Sequence, residues 1–292
     1  MRAPNRWAVA VRRPDGVIEA RSDALPRLSS RSRLARIPFF RGVMVLGESL
    51  SLGFRALSWS AVKAGGEEEG EEMKPGHLAV AMVVALVFFI GFFMLLPLLA
   101  ARGAEKVFGD STVLFNVVDG LVRVLLFVGY IWAIGRSKDI KRVFEFHGAE
   151  HKTIHAYEAG DPLTLDEIQK YSPRHPRCGT NFLLIVILIA IVVFTLVGRP
   201  SLIWLVTSRI VLIPVIGGIA YEVLKVAANH RWLAFFSRPG IWLQRLTTAE
   251  PAADQVEVAV ASLLVALDDE ERRAVESRGP IIPGALAYQV EA

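Results

Sequence analysis

Residues 80–100 read VAMVVALVFFIGFFMLLPLLA, and this stretch decides the fold class. It contains no charged side chain and no polar face, whereas a helix on the surface of a soluble protein shows a polar face to water. About 20 helical residues are needed to cross the hydrocarbon core of a bilayer. The stretch therefore predicts a transmembrane helix. The alternative is a soluble protein with buried helices, which would have to enclose this stretch on every side.

Three further apolar runs occupy residues 112–134, 182–197 and 202–228, and the first run extends over 78–101. The third run is short for a bilayer and would lie deep and untilted, or include the two polar residues before it. Hydrophobic residues make up 53% of the chain, which is high for a soluble protein of this length. We predict an α-helical membrane protein with about four transmembrane helices, interfacial amphipathic helices and a small N-terminal β element.

Basic residues set the predicted orientation, because short cytoplasmic loops of membrane proteins are enriched in Lys and Arg. The segment between the second and third runs is rich in them, at Arg136, Lys138, Lys141, Arg142, Lys152, Lys170, Arg174 and Arg177. The two opposite hairpin loops offer only Arg102, Lys106 and Arg199. Both termini and residues 135–181 are therefore predicted to be cytoplasmic, in a multi-pass protein whose first partner is the lipid bilayer. The net charge of +4 fits this bias and requires no nucleic-acid partner.

The segments outside the apolar runs have their own signals. Hydrophobic residues alternate on both sides of the turn Pro14-Asp15-Gly16, which predicts a β-hairpin. Residues 37–64 are apolar with scattered charges and predict an interfacial helix; a fifth span is the alternative, although it would bury several charges. The resulting division is 1–36 β-hairpin element, 37–64 interfacial helix, 65–77 acidic linker, 78–134 first transmembrane hairpin, 135–181 His/Cys segment, 182–228 second transmembrane hairpin and 229–292 cytoplasmic or interfacial C-terminal region.

Within the C-terminal region, Trp232 and Trp242 suit the headgroup layer of a membrane. Residues 252–275 predict a single amphipathic helix. The tail from Ser277 contains Pro and Gly and is expected to be loosely ordered.

The chemical signal lies at residues 144–158, FEFHGAEHKTIHAYE. On a helix, His147, His151 and His155 recur every four residues and share one face. Two imidazoles one turn apart can hold Zn²⁺ or another divalent transition metal. Glu150 completes a His-x-x-Glu-His pattern and can take a proton from a bound water.

Further ligands follow at HPRCGT, where His175 and Cys178 are three residues apart. Imidazole and thiolate are good zinc donors, and Glu158 is another possible ligand. Cys178 is the single cysteine and would lie in a reducing compartment, without an intrachain disulfide. Three interpretations stay open: a solvated loop, a structural zinc clip and a catalytic metal site.

Charged residues inside the runs each need a reason, because charge in hydrocarbon is costly. Asp119 and Arg209 lie at similar depths, so an ion pair between them is expected, with Arg123 one turn from Asp119. Glu222 is predicted to join the His/Cys site as a ligand, an orienting partner or a proton carrier. The alternative is an intrahelical pair with Lys225.

Five phrases resemble the YqhQ-like family of bacterial membrane proteins, a family of unknown function often labelled metal-dependent enzymes. They are FNVVDGLVR, FHGAEHKTIHAYEAG, HPRCGTNFL, GIAYEVLK and PGIWLQRLTT. The resemblance runs from the first residues to about residue 267 and implies a multi-pass protein of the bacterial inner membrane. It supplies no substrate. The positions that match the family pattern are Asp119, Arg123, His147, Glu150, His151, Glu158, His175, Cys178 and Glu222, whereas His155 falls outside it.

The start of the chain departs from the family pattern. Members carry a Gly-rich stretch ending in Val-Met-Met-Arg ahead of the first strand, whereas this chain opens with Met1-Arg2-Ala3-Pro4. We therefore expect the natural N-terminus to lie upstream of Met1.

Three functions are consistent with these residues. The first is a metal-dependent hydrolase at the cytoplasmic membrane face, with His147, His151, His175 and Cys178 as ligands, Glu150 as general base and Glu222 assisting. The second is a zinc-clipped scaffold that binds a cytoplasmic protein. The third is a small transporter or ion pathway that uses the charges inside the spans, for which four helices are few without an oligomer.

Overall fold

The computed structural model describes residues 1–25, 37–65, 75–176, 178–198, 201–229 and 238–290. The chain is mostly helical with a small three-stranded sheet, which confirms the helical fold with a small β element at the N-terminus. Most of the acidic linker, together with Arg177, Arg199 and Trp232, lies outside the described residues.

The helices, in chain order, are α1 Pro38–Gly65, α2 Pro75–Ile90, α3 Leu96–Phe108, α4 Thr112–Ile134, α5 Lys138–Ala159, α6 Leu165–Gln169, α7 Thr180–Val197, α8 Leu202–Val211, α9 Ile213–Asn229, α10 Arg238–Thr247, α11 Ala253–Ala266 and α12 Asp269–Ser277.

The sheet joins the two ends of the described chain. Strand β1 (Arg6–Arg12) pairs antiparallel with β2 (Ile18–Ala24), as the hairpin signal predicts. Strand β3 (Tyr288–Val290) then pairs parallel with β2. The expectation of a loosely ordered tail is therefore wrong for these residues, because the open edge of β2 offers backbone partners that a sequence pattern does not reveal.

Two helical stretches are long and apolar enough to cross a membrane, Val83–Phe108 and Thr112–Ile134. The stretches Ile203–Val211 and Ile213–Val226 would count as a third if their 45° bend lies within one span, and Phe182–Val197 is a shorter apolar helix. By length and composition the structure thus gives two or three candidate spans among the described residues, where the sequence predicts about four.

Proline explains both irregularities in these helices. A turn of π-helix, Gly91–Leu95, lies between α2 and α3 just ahead of Pro97. Proline has no N–H to donate and its ring collides with the carbonyl four residues earlier, so a wider turn relieves the clash. Pro214 lies directly after the break between α8 and α9, where the same constraint operates.

Helix α1 is continuous, with no break at Gly47 or Gly53, and packs along α9. The two backbones touch, since a Cβ built on Gly42 would lie 2.7 Å from the carbonyl oxygen of Gly218. Beside this contact the guanidinium of Arg41 binds both carboxylate oxygens of Glu222, at 3.1 and 2.5 Å. A close backbone crossing and a bidentate ion pair therefore fix α1 against α9.

The sheet, α5, α6, α11 and α12 share one hydrophobic core, and we call these elements the α/β body. Helix α11 lies at its centre with most of its residues buried. The core includes Ile18 from β2, Ala156 from α5, Ile168 from α6, Val260 from α11 and Val275 from α12. Segments 1–24, 138–169 and 253–290 are thus parts of one packed unit.

The single helix predicted over 252–275 is two helices in the structure. Asp268 begins α12, and its Oδ1 accepts hydrogen bonds from the backbone N–H groups of Glu270 and Glu271. An aspartate at the N-cap stabilises a new helix start more than it stabilises a helix interior.

The crossing of α1 and α9 predicts a position-specific effect of alanine. Gly42→Ala should lower the free energy of unfolding by about 1–3 kcal/mol, because its methyl group meets the α9 backbone. Gly47→Ala on the same helix meets nothing within 4 Å and should be neutral or stabilising by up to about 1 kcal/mol. Thermal unfolding of the two variants in detergent, followed by circular dichroism, measures the difference. Equal midpoints would contradict the crossing.

Candidate metal centre

Helix α5 carries the three histidines on one face, as their four-residue spacing predicts. The ring centroids of His147 and His151 are 4.4 Å apart. The helix ends at Gly160, whose φ of +83° is the left-handed conformation typical of a glycine after a helix. The opposite side of α5 packs on the α/β core through Ala149 and Ala156.

Two backbone carbonyls orient the first two imidazoles. His147 Nδ1 lies 2.8 Å from the carbonyl oxygen of Thr247, and His151 Nδ1 lies 2.7 Å from that of Pro173. A carbonyl oxygen only accepts, so each Nδ1 must carry the hydrogen, and each Nε2 then offers a lone pair. Metal-binding histidines in proteins are commonly held in this way.

Cys178 completes a group of three ligands. Its Sγ lies 3.3 Å from His147 Nε2. One ligand atom from each of His147, His151 and Cys178 lies within 4.8 Å of the other two. Ligand atoms around a tetrahedral Zn²⁺ are about 3.3–3.7 Å apart, given the usual Zn–N and Zn–S bond lengths. The three donors therefore fit zinc after a small inward movement.

His175 lies beside this group and not in it. Its ring centroid is 5.8 Å from that of His151 and 4.4 Å from that of His155. Its Nε2 lies 3.4 Å from a carboxylate oxygen of Glu158. His155 in turn donates from Nε2 to the carbonyl oxygen of Arg174, at 3.0 Å. The structure thus separates the four predicted ligands into a group of three and an adjacent His175–Glu158 pair.

The histidine pKa is shifted in opposite directions in the group of three and in the His175–Glu158 pair. Burial lowers the pKa of His147. The hydrogen bond and charge of Cys178, together with the Thr247 carbonyl, raise the pKa by more than burial lowers it, so the pKa lies above its ordinary value. Burial, with the neighbouring His155, holds the pKa of His175 below its ordinary value, against the opposing effect of Glu158. Burial therefore favours the neutral form of His175, whereas the contact with Cys178 favours the protonated form of His147 in the absence of a metal.

The two predicted catalytic carboxylates lie outside the group of three. The side chain of Glu150 is 42% exposed, and its Oε1 is 3.8 Å from the Met1 amino group. Glu222 forms an ion pair with Arg41. The sequence suggests Lys225 as the alternative partner of this carboxylate. Among the described residues neither carboxylate is placed with the three ligand atoms, so both catalytic roles stay predictions.

Two residues that position parts of the site could not be identified from the sequence. Gln244 of α10 is fully buried; its Oε1 accepts from His175 N at 2.8 Å, and its Nε2 donates to His175 O at 2.9 Å. Gly148 lies where a Cβ would be 2.0 Å from the carbonyl oxygen of Ala249. Residues 238–247 look interfacial by composition, and the signal available is an uncharged polar residue, Gln244, directly after the apolar residues 241–243.

The fold and the site define a helix-rich protein with helices long and apolar enough to cross a membrane and with a His/Cys group of the metal-ligand type. The chain belongs to the family described as "Protein of unknown function (DUF1385)", whose model matches residues 37–269. It is 35% identical over 276 residues to the "Uncharacterized protein YqhQ" of Bacillus subtilis (strain 168), with 88% of this chain and 86% of that protein covered. No solved structure matches the chain. The resemblance to the YqhQ-like family is thereby confirmed.

The two hydrogen bonds from the Gln244 side chain to the backbone of His175, which we call the Gln244 clamp, predict a stability effect of substitution at Gln244. Gln244→Met keeps the volume of the side chain but leaves the buried N–H and C=O of His175 without their partner, which should cost about 1–3 kcal/mol. Gln289→Met, at an exposed position of β3, is the matched control and should be close to neutral. Thermal unfolding, with hydrogen exchange of residues 172–178, provides the measurement. Unchanged exchange in this segment would contradict the clamp.

Proposed function

We propose that this protein is a metal-dependent membrane enzyme, a hydrolase that acts near the cytoplasmic membrane face on a substrate still to be identified. The supporting observation is the pair of oriented imidazoles, His147 and His151, whose Nε2 atoms share a site with Cys178. Among the described residues this group contains three protein ligands, the number typical of catalytic zinc sites with an open fourth position. Zn²⁺ bound there would lower the pKa of a water molecule and make it a nucleophile at neutral pH.

The residues around the group have separate proposed roles. Thr247 and Pro173 fix the imidazole tautomers through their carbonyl oxygens. Glu150 stays the proposed general base; it precedes His151 in sequence and lies close enough to contribute to the raised pKa of His147. His175 and Glu158 form the proposed route for a proton leaving the site, because a neutral imidazole paired with a carboxylate can accept and release a proton. The geometry supports His175 over Glu222 as the assisting residue.

The proposed topology has four crossings with both termini and residues 135–181 in the cytoplasm. The shared core of the α/β body supports it, since segments in one core must lie on the same side of the membrane. The chain between β2 and α5 then crosses an even number of times, and so does the chain between α6 and α11. The spans Val83–Phe108 and Thr112–Ile134 satisfy the first condition. Helix α7 and the bent pair α8–α9 satisfy the second if each crosses once.

Site-directed labelling tests this topology. In a Cys178→Ser background, single cysteines at Pro14, Asp110 and Glu270, all exposed positions, are treated with an impermeant maleimide. Pro14→Cys and Glu270→Cys should react only in inverted vesicles, and Asp110→Cys only in right-side-out vesicles. Opposite sides for Pro14→Cys and Glu270→Cys would sink the proposed topology.

A zinc-clipped scaffold is the second candidate, and one observation favours it. The three ligands and the two orienting carbonyls come from α5, the 173–178 segment and α10. A bound metal would therefore tie together segments that are distant in sequence, as structural zinc does. In this case a fourth protein ligand would close the coordination sphere; His175, whose ring centroid is 5.8 Å from that of His151, is the candidate.

Metal analysis of the detergent-purified protein tests both candidates. Elemental mass spectrometry should find close to one zinc ion per chain, with loss in His151→Ala and Cys178→Ser, because each removes one of three ligands. His155→Ala and Glu222→Gln are matched controls that should keep the metal. Protein that stays metal-free after zinc is supplied would overturn the proposal.

The coordination number then separates enzyme from scaffold. In the cobalt-substituted protein, added azide should shift the visible absorption if a position is open to solvent. A spectrum that azide leaves unchanged, with loss of cobalt in His175→Ala, would favour the closed scaffold site.

A further inference from the structure

A second site lies among the apolar helices, away from the histidines. A partly open cavity of about 640 Å³ is lined by residues of α2 and the π-turn, α4, α7 and the bent pair α8–α9. Its walls are aliphatic and aromatic, with Phe88, Phe127 and Phe194 among them. The charged residues among its described lining are Asp119, Arg123 and Arg209. The volume is in the range of small-molecule binding sites, about 300–1,000 Å³.

One carboxylate serves two guanidinium groups in this cavity. Asp119 Oδ2 lies 3.2 Å from Arg123 and 3.2 Å from Arg209, so the ion pair predicted from the sequence is present as part of a triad. Asn116 adds a neutral acceptor, 3.4 Å from Arg209. The charged lining therefore carries one net positive charge beside an apolar space. Uncompensated charge is costly in such surroundings.

The buried arginine has donor capacity left. The Arg209 side chain is 4% exposed, and its Nε has no hydrogen-bond partner among the described residues. The guanidinium also lies 4.8 Å from the ring centroid of Phe194, which contributes attraction but no acceptor. Buried donors in proteins are nearly always satisfied, so the arrangement points to an acceptor that the described residues do not supply.

We propose that this cavity binds a single-chain anionic amphiphile. Its hydrocarbon chain lies along the aromatic and aliphatic walls, and its carboxylate or phosphate-monoester head accepts from Arg123 and Arg209. The choice follows from charge complementarity: a neutral chain fills the space but leaves the surplus positive charge, and a free anion cancels the charge but leaves the apolar walls. The site is independent of the proposed metal chemistry, because it is built from other helices.

The binding experiment uses the full chain in detergent and native mass spectrometry. The probes are palmitate, hexadecyl phosphate, hexadecanol as a neutral chain of equal length, and inorganic phosphate. Palmitate and hexadecyl phosphate should each bind once per chain, at least about tenfold more tightly than hexadecanol, since a charge-assisted hydrogen bond is worth that ratio or more. Inorganic phosphate alone should give no complex.

Three variants locate the site. Arg123→Gln removes the head-group partner that is partly exposed and safest for folding, and it should weaken anion binding roughly 10- to 100-fold. Ala190→Trp fills the cavity wall and should abolish binding of both the anionic and the neutral chain. Arg102→Gln, an exposed arginine of α3 outside the lining, is the matched control and should bind like the parent chain.

Two results would overturn the proposal. One is equal affinity of the unsubstituted protein for palmitate and hexadecanol, which would make the cavity a non-specific hydrocarbon space. The other is unchanged palmitate binding in a folded Arg123→Gln protein. If this variant fails to fold, the palmitate-to-hexadecanol ratio and Ala190→Trp still decide.

Discussion

Helix α11 is buried over most of its surface. Val256, Val260 and Leu264 are almost completely buried, and so are most of the residues between them. A helix that is apolar over most of its surface must be largely enclosed by other elements. Here the enclosing elements are the β-hairpin from the start of the chain and α5 from its middle. Segments from the start and the middle of the chain must therefore pack around this helix, which lies near its end.

This constraint also positions the histidines. The small residues Ala149 and Ala156 seat one face of α5 on the core, so the imidazole face is turned toward residues 173–178 and α10. Carbonyl oxygens there fix the rings, and Gly148 leaves room for the Ala249 carbonyl to approach. The geometry of the proposed ligands is therefore held by packing on one side and by hydrogen bonds on the other. Such preorganisation distinguishes a built site from histidines that merely share a helix face.

Local patterns in the sequence predicted what is locally determined. Period and hydropathy revealed the helical class, the hairpin around Asp15 and the shared face of His147 and His151. They could not reveal contacts between distant segments, such as Arg41 with Glu222, which are 181 residues apart, or Gln244 with His175, which are 69 apart. The number of candidate spans also differs from the prediction, because a hydropathy window registers an apolar run but not the bend ahead of Pro214.

The order of elements along the chain has a consequence for biosynthesis. Helices α2 to α9 are translated before α11 and β3, so the apolar stretches are complete while the core of the α/β body still lacks its central helix. During that interval the hairpin and α5 expose the surfaces that α11 later covers, as expected of a folding intermediate that chaperones and proteases recognise. The contact that orients His147 needs Thr247 of α10 and so forms only after α9 has been translated, and β3 pairs with β2 only after α11 has been made.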